Sequence, residues 1–259
     1  MATRYIGIDL AWSGRNRSGA AVLEGGPEGA ALAEPPALLG DLDAIVAYIG
    51  RAAGDGPAIV AVDAPLVVPN ETGRRPAEAA LSAQFREYEA GAHPANRRRL
   101  ALEEGRVRGE ELVTRLAALD LPFAHVDRIG AGAGGRLVTE VFPHPAMVAI
   151  FELPRTLKYK ARPGRGPAAR QAAWATLQGH LRALEAADPP LRGAEELLDV
   201  EVAALRPGAL KAYEDRVDAL FCAYIALYAH RWGAERCRTF GDMAEGYIFT
   251  PVPARLRGA

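Results

Sequence analysis

The chain has 259 residues, 49% hydrophobic and 24% charged, with 31 Lys and Arg against 32 Asp and Glu for a formal charge of −1. These values exclude wholesale disorder and fibrous architectures, and the length is enough for one large core without disulfide staples. The only cysteines, Cys222 and Cys237, lack metal-type spacing, no run approaches about eighteen apolar residues, and "MATRYIGIDL" enters a strand directly, so a soluble protein of the reducing cytoplasm is expected, with no membrane partner.

In chain order, residues 4–12, 18–24 and 29–33 read as three short strands of an antiparallel meander, separated by polar and "GGPEG" turn signals. "LGDLDAIVAYIGRAA" places Leu39, Leu42, Ile45, Val46 and Ile49 on one helical face, and "GDG" closes it. "AIVAVDAPLVVP" is a continuous apolar run typical of a strand buried on both faces, and it ends in Asp63. A crossover of this kind returns the fourth strand beside the first, which makes the chain an α/β protein. Residues 69–127 mix polar loops with short helices and read as an inserted lid on a single domain spanning 1–259. "GGRLVTEVFPHPAMVAIF" restores a buried strand that turns into a helix around 145–151. Further helices are expected near 168–186, 194–205 and 209–231, the last with Val217, Leu220, Phe221, Tyr224 and Tyr228 on one face, and "GYIFTP" reads as a final strand.

A carboxylate at the end of a buried strand costs desolvation unless it is paired or hydrogen-bonded, so Asp9 in "YIGIDLAWS" needs a partner or a task. Asp9 and Asp63 are expected at the same end of adjacent strands. Glu140 lies inside "LVTEVFPHP", and Asp215 and Asp218 in "YEDRVDALF" share a helix face one turn apart. Any one of these acids is more often a cap or turn residue, but their conjunction is harder to obtain by accident. Acids converging from strands and a helix suit Mg²⁺ or Mn²⁺, hard cations that take oxygen ligands and can assist phosphoryl displacement.

At these residues the chain resembles the RNase H-like superfamily, whose β1-β2-β3-α-β4 core sets an Asp on the first strand and further acids around Mg²⁺. Asp215 and Asp218 resemble the acidic helix of RuvC-type resolvases. More closely, "IGIDLAWS", "VDAPLVVPNETGRRPAE", "AHPANR", "EVFPHPA", "LKYKAR" and "EDRVDALFCAYIA" together are similar to the family numbered 429 among domains of unknown function, described as predicted RNase H-like nucleases. The resemblance implies an RNase H-like mixed sheet flanked by helices and a metal-dependent nuclease. It also implies roles by position: Asp9 as the strand-one metal ligand, Asp218 as the helix ligand with Asp215 as its partner, and Glu140 as the strand-borne acid. Asp63 is either a ligand itself or part of a loop that shapes the rim.

A nucleic-acid substrate needs phosphate-facing groups near the acids. Arg15, Arg17, Arg74, Arg75, Lys158 and Lys160 are the candidates, with Arg97 to Arg99, Arg162 and Arg165 in further basic runs. "KYKARPGR" interleaves Tyr159 with base, as stacking on a single strand would require, although a solvated linker explains it as readily. His144, four residues beyond Glu140, is a better phosphate or proton-handling candidate than His93, and each reads equally as a rigid Pro-flanked turn. Trp12 reads as rim or core packing, and Cys222 as a small buried residue. Two rival classes remain. An actin- or sugar-kinase-like phosphotransferase shares the core but calls for glycine-rich phosphate loops, and "GAGAGG" at 130–135 is the one glycine cluster of note. A non-catalytic nucleic-acid-binding module would carry the same acids as relics.

Overall fold

The computed structural model describes residues 2–102 and 105–257. The chain runs β1 (Thr3–Asp9), β2 (Ser18–Gly26), β3 (Gly29–Leu32), β4 (Ala37–Leu39), α1 (Leu42–Ala53) and β5 (Ala58–Val62). Next come α2 (Pro76–Gln84), α3 (Arg97–Leu100), α4 (Arg108–Ala117), β6 (Ala124–His125), β7 (Arg136–Glu140) and α5 (Pro143–Ile150). The last part holds α6 (Pro167–Ala183), β8 (Leu191–Arg192), α7 (Glu195–Leu198), α8 (Pro207–Trp232), β9 (Cys237–Asp242) and β10 (Gly246–Pro251). Among the described residues no helix is long and apolar enough to cross a membrane.

The central sheet is mixed, in the order β6-β7-β5-β1-β2-β3-β8, with β4 also pairing with β2. β1, β2 and β3 run antiparallel in sequence, and β5 returns parallel to β1, followed by β7 parallel to β5. The expected meander and crossover are present. β1 stops at Asp9 instead of residue 12, because the Ala11 amide leaves the ladder and donates to Ser18 Oγ at 3.1 Å. The end of the 69–127 segment joins the sheet as β6, beside β7, so this stretch is not wholly peripheral. The expected helix at 194–205 is broken into α7 and a 3-10 turn at Val202–Ala204. α6 takes its carbonyls: Gln178 Nε2 donates to Val200 O at 2.9 Å, and Arg182 donates to Leu198 O. β9 was not expected; it forms a separate hairpin with β10, whose turn is held by Asp242 accepting from the Ala244 and Glu245 amides at 2.8 Å.

Pleating sorts the strands' side chains onto two cores. Ile6, Ile8, Val60, Val62 and Val138 face α1 and α4, while Tyr5, Ala21, Ile59 and Ala61 face α8. α8 is not one-sided as its apolar stripe suggested. It is buried over nearly its whole length, packed on β1, β2 and β5 on one side and against α5 and β10 elsewhere. The close approach depends on glycine. A Cβ at Gly7 would overlap Ala219 O and Ala223 N, and one at Gly19 would overlap Asp215 O, all backbone atoms of α8. Gly7→Ala therefore pushes a buried helix off the sheet and is expected to cost at least about 1–3 kcal/mol, read as a lower urea midpoint.

Candidate functional site

Register brings the first two acids together. Ile8 pairs with Val62 in the parallel β1–β5 ladder, and the Asp63 amide donates to Ile8 O at 2.8 Å, so Asp9 and Asp63 leave adjacent strands at the same level. Both share the pleat of Gly7 and Ala61, the face on which α8 lies. α8 brings Asp218, whose side chain is 0% exposed. Its Oδ1 accepts from the Tyr159 hydroxyl at 2.7 Å, and its Oδ2 lies 2.6 Å from Lys160 Nζ. That second contact is one of charge, since Oδ2 has no aligned hydrogen-bond donor.

Electrostatics marks these groups as one cluster. Burial, then Asp218 and Asp63, holds the Asp9 carboxyl well above the usual carboxylate range, and Lys160 pulls it back. Asp63 is pushed up to about 7, first by burial, with Lys160 opposing and Asp218 and Glu140 adding to the rise. Burial alone would lower the Lys160 ammonium, but Asp218, Tyr159, Asp9 and Asp63 outweigh it and hold it well above its ordinary value. One lysine thus serves three acids. Among the described residues no three His, Cys, Asp or Glu side chains are grouped so as to hold a metal ion.

Asp215 and Glu140 stand apart from this cluster. Asp215 Oδ1 is bound by Lys211 Nζ at 2.5 Å, and the same ammonium reaches Glu214 at 2.9 Å. Glu140 pairs in register with Val62, not Ala61, so its side chain leaves β7 on the face opposite α8. There Arg75 clamps it with two bonds, Nη1 to Oε2 at 3.0 Å and Nη2 to Oε1 at 2.6 Å, and the Leu66 amide adds a third at 2.8 Å. Burial raises its carboxyl, and Arg75 and Leu66 pull it back. The expected place of Glu140 beside the other acids is corrected by pleat parity. Arg75 is corrected with it: expected on phosphate, it is buried between Glu140 and Glu78, whose Oε1 accepts from Nε at 2.6 Å.

The Asp9 and Asp63 carboxylates open into a cavity of about 380 Å³. Its rim is basic: Lys158, Arg162 and Arg165 line it, with His93 and the 40% exposed Trp12. Lys158 is paired with Glu89 at 3.0 Å, and Arg162 meets His93 Nε2 at 2.9 Å. His144 also lines this cavity; burial first, then the positive charge of Lys160, brings its imidazole down to about 3, so it is neutral there. Tyr159 is corrected as a stacking platform. It is 0% exposed and spends its hydroxyl on Asp218. Asp9 also borders a second cavity of about 440 Å³, which Arg17, Lys211 and Asp215 line. Arg15 and Arg74 are exposed and line neither cavity.

Sequence reasoning missed two kinds of residue. Lys160 was read as a phosphate contact, and nothing in its spacing from Asp218 indicates the ion pair. Gly7 and Gly19 were passed over, although small residues two positions before Asp9 and one after Ser18 are a signal of close backbone approach. No curated protein and no solved structure matches the chain. The family described as protein of unknown function (DUF429) matches residues 7–245, nearly the whole length that carries β1, β5, α8 and their acids, and the chain belongs to that family.

Proposed function

We propose that the protein is a Mg²⁺- or Mn²⁺-dependent hydrolase of nucleic-acid phosphodiester bonds, built on an RNase H-like arrangement of strands and a late helix. One observation carries the reading: Asp9, Asp63 and Asp218 share a single ammonium at the floor of a cavity with a basic rim. The donor set fits a hard divalent ion, being all carboxylate oxygen, mutually repelling and undercompensated by Lys160. Asp9, Asp63 and Asp218 would hold the ion, and when bound it supplies Lewis-acid charge to the phosphoryl group and the attacking water. Asp215 and Glu140, each with its own cation, fall outside the set. Lys158, Arg162 and Arg165 hold backbone phosphates at the rim, and Trp12 offers a ring face to a base.

The test is a panel of branched, hybrid, single-stranded and duplex substrates incubated with Mn²⁺ or with EDTA. Cleavage that stops in EDTA supports the reading. Magnesium-dependent ATP binding by calorimetry without cleavage favours the phosphotransferase, and equal nucleic-acid binding in EDTA without cleavage favours the binding module.

The raised carboxyl of Asp63 gives a second expectation. An acid whose folded pKa, about 7, exceeds its unfolded value of 3.8 stabilises the fold below the lower value and loses that contribution as pH rises through the upper one. His144, lowered to about 3 from 6.5, works in the opposite direction over its own window. Comparison of the wild type with Asp63→Asn cancels the histidine. In EDTA the wild type is expected to lose thermal stability relative to the variant between pH 5 and 7, the interval set by these values. Because metal ligands must be deprotonated, the stabilisation by Mn²⁺ grows over the same interval. A flat difference across it would refute the assignment.

A further inference from the structure

The cations of the site are not distributed evenly. Glu140 has Arg75, and Asp215 shares Lys211 with Glu214, so each of these acids is compensated where it stands. Asp9, Asp63 and Asp218 are left with Lys160. Lys160 is not a mobile surface lysine. Its side chain is 24% exposed, its own carbonyl accepts from Arg165 Nη1 at 2.9 Å, and the preceding Tyr159 is buried and tied to Asp218. Two residues before that, the Thr156-to-Lys158 segment is anchored where the Thr156 amide donates to Tyr88 O at 2.8 Å. The ammonium is therefore held beside the acids by the backbone on both sides.

Resting on the hydrolase reading of this site, we propose that Lys160 takes the place of a second divalent ion, so that the centre is complete with one Mg²⁺ or Mn²⁺. The first argument is charge. Three carboxylates and one ammonium leave two negative charges, which one divalent ion neutralises. A second ion would turn the cluster into a buried net cation, which a desolvated pocket resists. The second argument is the oxygen inventory. Asp218 Oδ1 is already engaged by Tyr159 and Oδ2 faces Lys160 at 2.6 Å, so of about four lone-pair sites on a carboxylate only part remains for metal. Two ions and the lysine cannot all draw on that one desolvated group. In this arrangement Lys160 neutralises charge beside the acids permanently, without the pH-dependent loss that a bound cation suffers.

The experiment counts ions directly, by equilibrium dialysis and calorimetric titration of the full chain with Mn²⁺ at pH 8. Wild type and the charge-retaining Lys160→Arg are expected to bind about one ion per chain, and Lys160→Met about two. Circular dichroism verifies that each variant is folded. Two ions in the wild type overturn the role given to Lys160 while leaving the metal centre standing. One ion in all three proteins also overturns it, because the limit would then lie in the acids alone. No binding in the wild type overturns both this inference and the hydrolase reading. If Lys160→Met does not fold, the wild-type count still decides, one ion supporting the proposal and two defeating it.

Discussion

Asp9→Asn is expected to lower Mn²⁺-dependent cleavage by about three orders of magnitude while making the metal-free protein more stable, two changes of opposite sign from one substitution. The activity loss follows from removing a charged oxygen donor from a three-acid set. A Lewis acid contributes several kcal/mol to a phosphoryl transition state, and a loss of about 4 kcal/mol is about a thousandfold in rate. The gain in stability follows from the carboxyl's surroundings. Burial and the neighbouring Asp218 and Asp63 make the ionised form unfavourable at Asp9, and an amide of the same shape removes that repulsion. Asp218→Asn separates the two effects. It also removes activity, but it deprives Lys160 and Tyr159 of their anion in a fully buried position, so its stability in EDTA is expected to fall. Cleavage rates in Mn²⁺ and thermal midpoints in EDTA for both variants provide the measurement. Wild-type cleavage by Asp9→Asn would remove this residue from the chemistry, and a lower midpoint would contradict the electrostatic account of its position.

The contrast between Asp9 and Glu140 shows what the sequence could carry. Both end a buried strand, and both strands could be read from apolar runs of five or more residues. Local pattern therefore gave strand ends, and the crossover rule gave the parallel neighbours β1 and β5. It did not give the relative pleat of β7, because register between distant strands is set by packing rather than by either segment alone. With Val62 opposite Glu140 instead of Asp63, one residue of register decides whether an acid joins a site or is clamped behind it. Long-range partners were illegible for the same reason. Arg75 and Glu140 are 65 positions apart, and Lys160 and Asp218 nearly as far, so no local spacing links them. The burial of α8 was also underestimated. Its polar residues at 211, 214 and 215 suggested a solvent face, whereas ion pairing lets Glu214 and Asp215 lie buried beside Lys211. Elements held together by local hydrogen bonds, such as α1 with Asp41 accepting from the Ala44 amide at 2.8 Å, were placed within a few residues.

Arg75→Met tests the part of the molecule that this register error concerns. Arg75, Glu78 and Glu140 form a buried trio in which one guanidinium contacts both carboxylates, and Arg75 also donates to Val67 O at 2.9 Å. Removing the only cation leaves two desolvated acids facing each other, and breaking a buried pair from one side costs about 3–5 kcal/mol. That is a large share of the stability of an ordinary domain, so a much lower urea midpoint is expected. Replacing the acids as well, as Arg75→Met with Glu78→Gln and Glu140→Met, should recover most of the loss, since an apolar substitute for a buried ion pair is often neutral. Glu140→Gln alone is milder, at about 1–3 kcal/mol, because the amide oxygen still accepts one bond from Arg75. The decisive comparison is metal binding by the folded Glu140→Gln protein. On the geometry above it retains its Mn²⁺, since Glu140 lies across the sheet from α8 and spends both oxygens on Arg75 and Leu66. A protein with an unchanged midpoint but no bound Mn²⁺ would return Glu140 to the metal centre and require Arg75 to release it.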